Sequence, residues 1–125
     1  MKGYVENIEK KTLANSFFRE VLFTGKNAQL VVMSLKPEEE IGMEVHNNVD
    51  QFFRIEKGTG KVIIDGEECS VTDGTAVIVP AGSWHNVINS SSKEELKLYT
   101  IYSPPNHPDK TIHKTKDEAM AAEEE

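Results

Sequence analysis

GTAVIVPAGSWHNVIN, residues 74–89, carries a glycine, a proline, a second glycine, a histidine and an asparagine at Gly74, Pro80, Gly82, His85 and Asn89. Val77, Ile78 and Val79 read as a short buried strand. Pro80-Ala81-Gly82-Ser83 reads as a tight turn, with proline presetting φ and glycine taking a backbone that other residues resist. Trp84 to Ile88 resumes an extended run, so His85 stands at the start of a strand just past a rigid corner. An imidazole held that firmly suits a metal site.

Working outward, the same punctuation recurs along the chain. Residues 17–24 and 28–35 are rich in aromatic and β-branched residues and flank the turn Gly25-Lys26-Asn27. Further strands are expected over residues 41–46, 51–56, 61–64, 67–71, 84–89 and 96–102, besides the one ending at Val79. Asp65-Gly66 is the pair that two-residue hairpin turns favour. Residues 1–16 are polar, with a short turn or strand near Val5 to Ile8. Eight or nine short strands with no helix among them predict an all-β antiparallel sandwich or barrel. The tail differs: after the proline-rich stretch around Pro104-Pro105, Thr115-Lys116-Asp117-Glu118 forms a capping-box pattern that opens a short helix through Ala122. The terminal glutamates Glu123, Glu124 and Glu125 sit at the wrong end of that helix's dipole and are expected to fray it.

The 125 residues fit one domain, with a barrel core over about 17–103 and a tail over 104–125. A net charge of −7 argues against a nucleic-acid partner, because phosphate backbones are gripped by clustered Lys and Arg. No run approaches a membrane span, and Met1-Lys2-Gly3-Tyr4 does not open a secretory signal. The single Cys69 suits a reducing cytoplasm. It lies in a hairpin strand with no base nearby in sequence, which argues against a catalytic thiol.

Alternation in the 41–46 strand puts Glu44 and His46 on one face, and Gln51 opens the next strand, followed at period two by Phe53 and Ile55. Glu44, His46 and Gln51 can therefore converge, with His85 as a fourth contact. Two imidazoles, a carboxylate and an amide oxygen suit a divalent first-row metal: iron, manganese, nickel or zinc. Asp50 is a reserve carboxylate if the register slips by one, though strand parity disfavours it. Read singly, His85 is equally a core histidine donating to a carbonyl, Gln51 a group that orients a ligand, and Asn89 a structural hydrogen-bonder. Trp84 faces away from His85, which gives it a packing or interface role.

The chain resembles the cupin family. The family's second motif is met in full by Gly74, Pro80, Gly82, His85 and Asn89. In the frame of the first motif, the family's first histidine is Glu44, its second is His46, its glutamate is Gln51 and its closing glycine is Gly58, while its opening glycine falls at Glu38. The resemblance implies a jelly-roll barrel with a metal near its mouth, held by Glu44, His46, Gln51 and His85, and a small-molecule ligand in a pocket walled by Phe53, Ile55, Val87, Leu98 and Tyr102. It also implies one of two chemistries, dioxygenase-type oxidation or isomerisation of a sugar or sugar phosphate. Isomerisation requires a base, and Glu44 is the candidate catalytic residue, a role compromised if it is a ligand. Phosphate recognition would need one of the two arginines, Arg19 or Arg54, and Arg54 alternates outward. A non-catalytic binding or sensing barrel is the alternative, and a structural dimer without metal a third. A homodimer is expected through the strand of Phe17-Phe18. Tyr102 and His107 flank the proline loop, which reads as a surface loop able to fold across the mouth, and His113 follows in the tail.

Overall fold

In a computed structural model describing residues 2–123, nine strands and two helices are arranged as α1 (Ile8–Ala14), β1 (Arg19–Thr24), β2 (Gln29–Leu35), β3 (Asp50–Lys57), β4 (Thr59–Ile64), β5 (Glu67–Thr72), β6 (Ala76–Val79), β7 (His85–Asn89), β8 (Leu96–Ser103), β9 (Ile112–His113) and α2 (Lys116–Glu123). All strand pairings are antiparallel, in a six-stranded sheet ordered β6-β3-β8-β2-β1-β9 and a three-stranded sheet ordered β5-β4-β7. The result is the expected jelly roll. Period-two alternation sets its core: in β3, Gln51, Phe53 and Ile55 are buried, while Arg54 points out and pairs with Glu56 at 2.7 Å. Phe53, Ile55, Val62, Val87, Leu98 and Met33 meet between the sheets. The β4–β5 hairpin turns at Asp65 and Gly66, both with positive φ (48° and 84°), as a two-residue turn of the mirror-image type requires.

Three expectations are corrected. Residues 41–46 form no regular strand; the segment meets β7 through isolated bridges, Glu40 to Ile88 and Glu44 to His85, instead of a continuous ladder. Gly42 breaks it, with φ of 109° and its amide turned sideways onto Asn86 Oδ1 at 2.8 Å. In place of the turn or strand expected near Val5 to Ile8, residues 4–7 have no regular structure and residues 8–14 form a helix. Asn7 caps it by accepting from the Lys10 amide, and buried Lys97 donates from Nζ to the Asn15 carbonyl at its far end, fastening it to the six-stranded sheet. Finally, β1 is not an open edge at its start, because β9 pairs with Arg19 and Glu20. The chain's own tail therefore occupies that part of the strand edge. The second helix begins as the capping box predicts, with Thr115 Oγ1 accepting from the Glu118 amide. The expected fraying at Glu124 and Glu125 lies outside the described residues.

Gly60 is where the two sheets' connections crowd most. A Cβ built there would meet the Ile88 carbonyl oxygen at 2.6 Å and a Leu96 methyl at 3.0 Å, whereas one at Gly3 meets nothing within 4 Å. Gly60→Ala is expected to cost about 1–3 kcal/mol, the usual range for forced overpacking. Gly3→Ala should leave stability unchanged. Urea midpoints of the two variants, at constant slope, check the contrast.

Candidate metal centre

The corner between β6 and β7 builds the site. Ser83 donates its amide to the Pro80 carbonyl at 3.2 Å, and Gly82, at the third turn position, has φ of 88°, which that turn type demands. The Gly82 amide in turn reaches the His46 carbonyl at 2.9 Å, so one turn both launches β7 and holds the His46 backbone. Glu44 and His85 exchange both backbone hydrogen bonds, at 2.8 and 2.9 Å. Residues so paired project their side chains to the same face, which sets the Glu44 carboxylate beside the His85 imidazole.

Ligand atoms of Glu44, His46 and His85 lie within 4.8 Å of one another. The two imidazole centroids are 5.4 Å apart, and His46 Nε2 is 3.8 Å from Glu44 Oε2. Points that close can share a centre at about 2.8 Å, against ~2.1 Å for a metal–nitrogen bond, a difference that small side-chain rotations close. The fourth expected residue, Gln51, is 1% exposed and opposite Tyr102 in the β3–β8 pairing. Its Nε2 donates to Thr100 Oγ1 at 3.1 Å, which leaves Oε1 as the free end.

The arrangement has a direct test of fit. His46 Nε2, His85 Nε2 and Gln51 Oε1 are buried with no hydrogen-bond partner among the described residues. His85 Nδ1 lies 3.0 Å from the Ser83 carbonyl, which can only accept, so the proton is on Nδ1 and Nε2 presents a lone pair. Buried acceptors left unmatched are costly, and a cation is the partner that answers several lone pairs at once. Burial, then His85 and Arg19, depress the His46 pKa, favouring the neutral imidazole that a metal requires. Burial raises the Glu44 pKa, opposed first by the Arg19 guanidinium.

A cavity of about 470 Å³ opens outward from this cluster, lined by Glu44 and His46, by Ile41 and Met43, by Arg19, by Trp84 and by one side of α2. A second of about 320 Å³ shares Arg19, Glu44 and His46 and adds His107 and His113. Trp84, 54% exposed, thus lines the mouth instead of facing away from it. Phe53, Ile55, Val87 and Leu98 sit in the closed core and line neither cavity. Tyr102 is buried between rings, its centroid 5.8 Å from His46 and 5.1 Å from His107. Its hydroxyl faces His107 Nε2 at 3.2 Å, and burial pushes its pKa up. Burial, reinforced by Arg19, brings His107 down to about 3, so its imidazole is neutral. Asp50 is no reserve ligand: it accepts from the Ala81 amide at 2.9 Å and braces the turn. Asn89 is structural, its Nδ2 reaching the carbonyls of Leu35, Lys36 and Glu94.

The sequence offers Arg19 only as a phosphate-binding arginine and the His107 loop as a surface loop able to cross the mouth, and it gives no sign of α2 in the site. Arg19 had a signal, since it shares period two with inward Val21. The loop of His107 crosses the mouth because buried Gln29 Oε1 accepts from the amides of Asn106 and His107 and Gln29 Nε2 donates to the His107 carbonyl. A glutamine 78 residues away leaves no local mark on that loop.

Antiparallel strands rolled into two facing sheets, with two imidazoles and a carboxylate gathered at one mouth, define a small jelly-roll protein with a candidate metal site. The Cupin domain family model matches residues 31–102, more than half of the chain, and the chain belongs to that family. YrkC of Bacillus subtilis is 50% identical over 129 residues, spanning 98% of this chain and 69% of its own. The crystal structure of BH2720 from Bacillus halodurans is 44% identical, with a TM-score of 0.92 over 94% of this chain and 93% of that one. A predicted oxalate decarboxylase from Thermotoga maritima shares the fold at 19% identity, with a TM-score of 0.60 over 64% of this chain and 69% of that one.

Elemental analysis of the purified protein is expected to find one transition-metal ion per chain, reduced at least tenfold in His85→Ala. Thr100→Val, which keeps shape but frees the Gln51 amide, should weaken metal affinity by roughly 10–100-fold, as loss of an orienting partner does. Unchanged affinity in Thr100→Val would remove Gln51 from the ligand set.

Proposed function

We propose that this chain is a metal-dependent cupin enzyme acting on a small oxygenated metabolite, with a divalent transition metal held by Glu44, His46 and His85 and with Gln51 as fourth donor. The observation that carries this reading is the cluster of Glu44, His46 and His85, whose two imidazole Nε2 atoms are buried without a hydrogen-bond partner, as is Gln51 Oε1. Two imidazoles and one carboxylate with open positions favour ferrous iron and oxygenase-type chemistry over isomerisation. When bound, such an ion polarises the oxygens of a ligand and, as iron, activates dioxygen. Glu44 then offsets part of the ion's charge and is not free as a base, which is the physical objection to the isomerase reading. His107 is a neutral group lining the second cavity, its Nε2 within hydrogen-bond distance of the Tyr102 hydroxyl at 3.2 Å. Ile41, Met43 and Trp84 supply apolar wall for the carbon skeleton of a ligand and thin the water around the ion. No helix of the described residues is long and apolar enough to cross a membrane, and the ligand is taken to reach the site through the open mouth.

Oxygen consumption by iron-loaded protein, with a panel of diketones, catechols and small oxygenated acids, tests this. Turnover is expected with at least one compound class and none with Glu44→Ala or His85→Ala. Stoichiometric metal and tight ligand binding without turnover, in either oxygen uptake or isomerisation assays, would assign the chain to the non-catalytic, sensing class instead.

A further inference from the structure

Arg19 is 3% exposed, on the inward face of β1, yet no carboxylate among the described residues lies within ion-pair distance of it. Buried guanidinium groups normally have an anionic partner, because desolvation of the charge is otherwise uncompensated. Its protein contacts hold it in place without neutralising it. Nη1 donates to His113 Nδ1 at 3.3 Å, across the β1–β9 pairing of those same two residues, and the guanidinium carbon lies 5.3 Å from the Phe18 ring centre. Nε is buried with no partner among the described residues. The edge of the guanidinium that carries Nε is the one that grips a carboxylate side-on through two parallel hydrogen bonds. Arg19 lines both cavities that open from Glu44 and His46.

The charge around it points the same way. In the larger cavity Arg19 and Lys116 balance Glu44 and Glu123. Adding a dication to the histidine cluster therefore leaves the chamber with unmatched positive charge, which only an incoming anion satisfies.

From this geometry we infer that Arg19 is the substrate-docking residue of the chamber, and that the ligand is a small organic acid whose carboxylate seats on Arg19 while a second oxygen faces the Glu44–His46–His85 cluster. The second half of that statement rests on the metal-centred reading above; the Arg19–carboxylate contact does not. Binding is read by calorimetry with lactate and pyruvate, with their neutral amides, and with glycerol 3-phosphate as the phosphate counterpart. Metal-loaded and metal-free wild type, Arg19→Met and Arg19→Lys are compared, and the metal content of each preparation is measured. In wild type the acids should bind at least tenfold more tightly than the amides. Arg19→Met should lose that preference with metal content unchanged, and Arg19→Lys should recover part of it. Amides that bind wild type as well as the acids overturn the inference, and this comparison stands even if Arg19→Met fails to fold. Glycerol 3-phosphate binding more tightly than either acid overturns the carboxylate assignment, as does Arg19→Met binding the acids normally. Acid binding that depends on Arg19 in a protein that never takes up metal sustains the inference while sinking the metal reading. Full metal occupancy with no acid preference does the reverse.

Discussion

Two backbone hydrogen bonds, exchanged between Glu44 and His85 at 2.8 and 2.9 Å, hold the functional end of this molecule together. The segment that carries Glu44 and His46 is irregular, kinked at Gly42, and has no strand of its own to fix its side chains. The reciprocal pair supplies that order, because directly opposed residues in a hydrogen-bonded antiparallel pair must present their side chains together. The second anchor, from the Gly82 amide to the His46 carbonyl, comes from the turn that also begins β7. One corner of the chain therefore sets three side chains, and the positive φ of Gly82 is a condition for all three.

Burial then does two jobs with opposite signs. It makes unpaired lone pairs on His46, His85 and Gln51 expensive, a penalty the fold accepts only where something else answers them. It also keeps His46 and His107 neutral, since a charged imidazole would lose its hydration beside Arg19. The site is thus prepared as a set of donors for a positive ion before any ion arrives. The supports behind it are ordinary: the Ser83 carbonyl fixes one tautomer, and Thr100 turns one amide. Neither touches the chamber.

The strands of the jelly roll were legible because their burial alternates at period two, and β3 shows it cleanly. The proline-glycine turn was legible because its residues specify one backbone shape. Residues 41–46 were misread as a strand since alternation was present while Gly42, which bends the chain out of the ladder, reads as an ordinary apolar-strand interruption. The first helix is seven residues of mostly polar sequence, too short for a helical period to emerge, and its stability comes from Asn7 and from Lys97 beneath it. Of the site, the clustered Glu44, His46 and His85 lie in motifs with local spacing. Arg19 and His107 are held in place by partners far along the chain, β9 and Gln29, and only the tertiary fold shows that both face the cluster.

Set in the cupin frame, the chain has moved its carboxylate from the position of Gln51 to the position of Glu44. The number of carboxylates in the frame is unchanged, but their depth is not. Gln51 is 1% exposed, and an ionised carboxylate there would face nearly complete desolvation. Glu44 has 24% of its side chain exposed and lines both cavities, within the field of Arg19. A charge at the rim is stabilised by water and by the guanidinium even without an ion, so the empty site is less strained than one with the carboxylate at its base. The same relocation leaves a neutral amide deep in the barrel and shifts negative charge toward the opening. On the proposed reading, an entering anion would be drawn in by Arg19 and the ion together, since the first carboxylate it passes would repel it. Arg19 is therefore the counterpart of the displaced glutamate, and the two positions are best understood as one electrostatic arrangement.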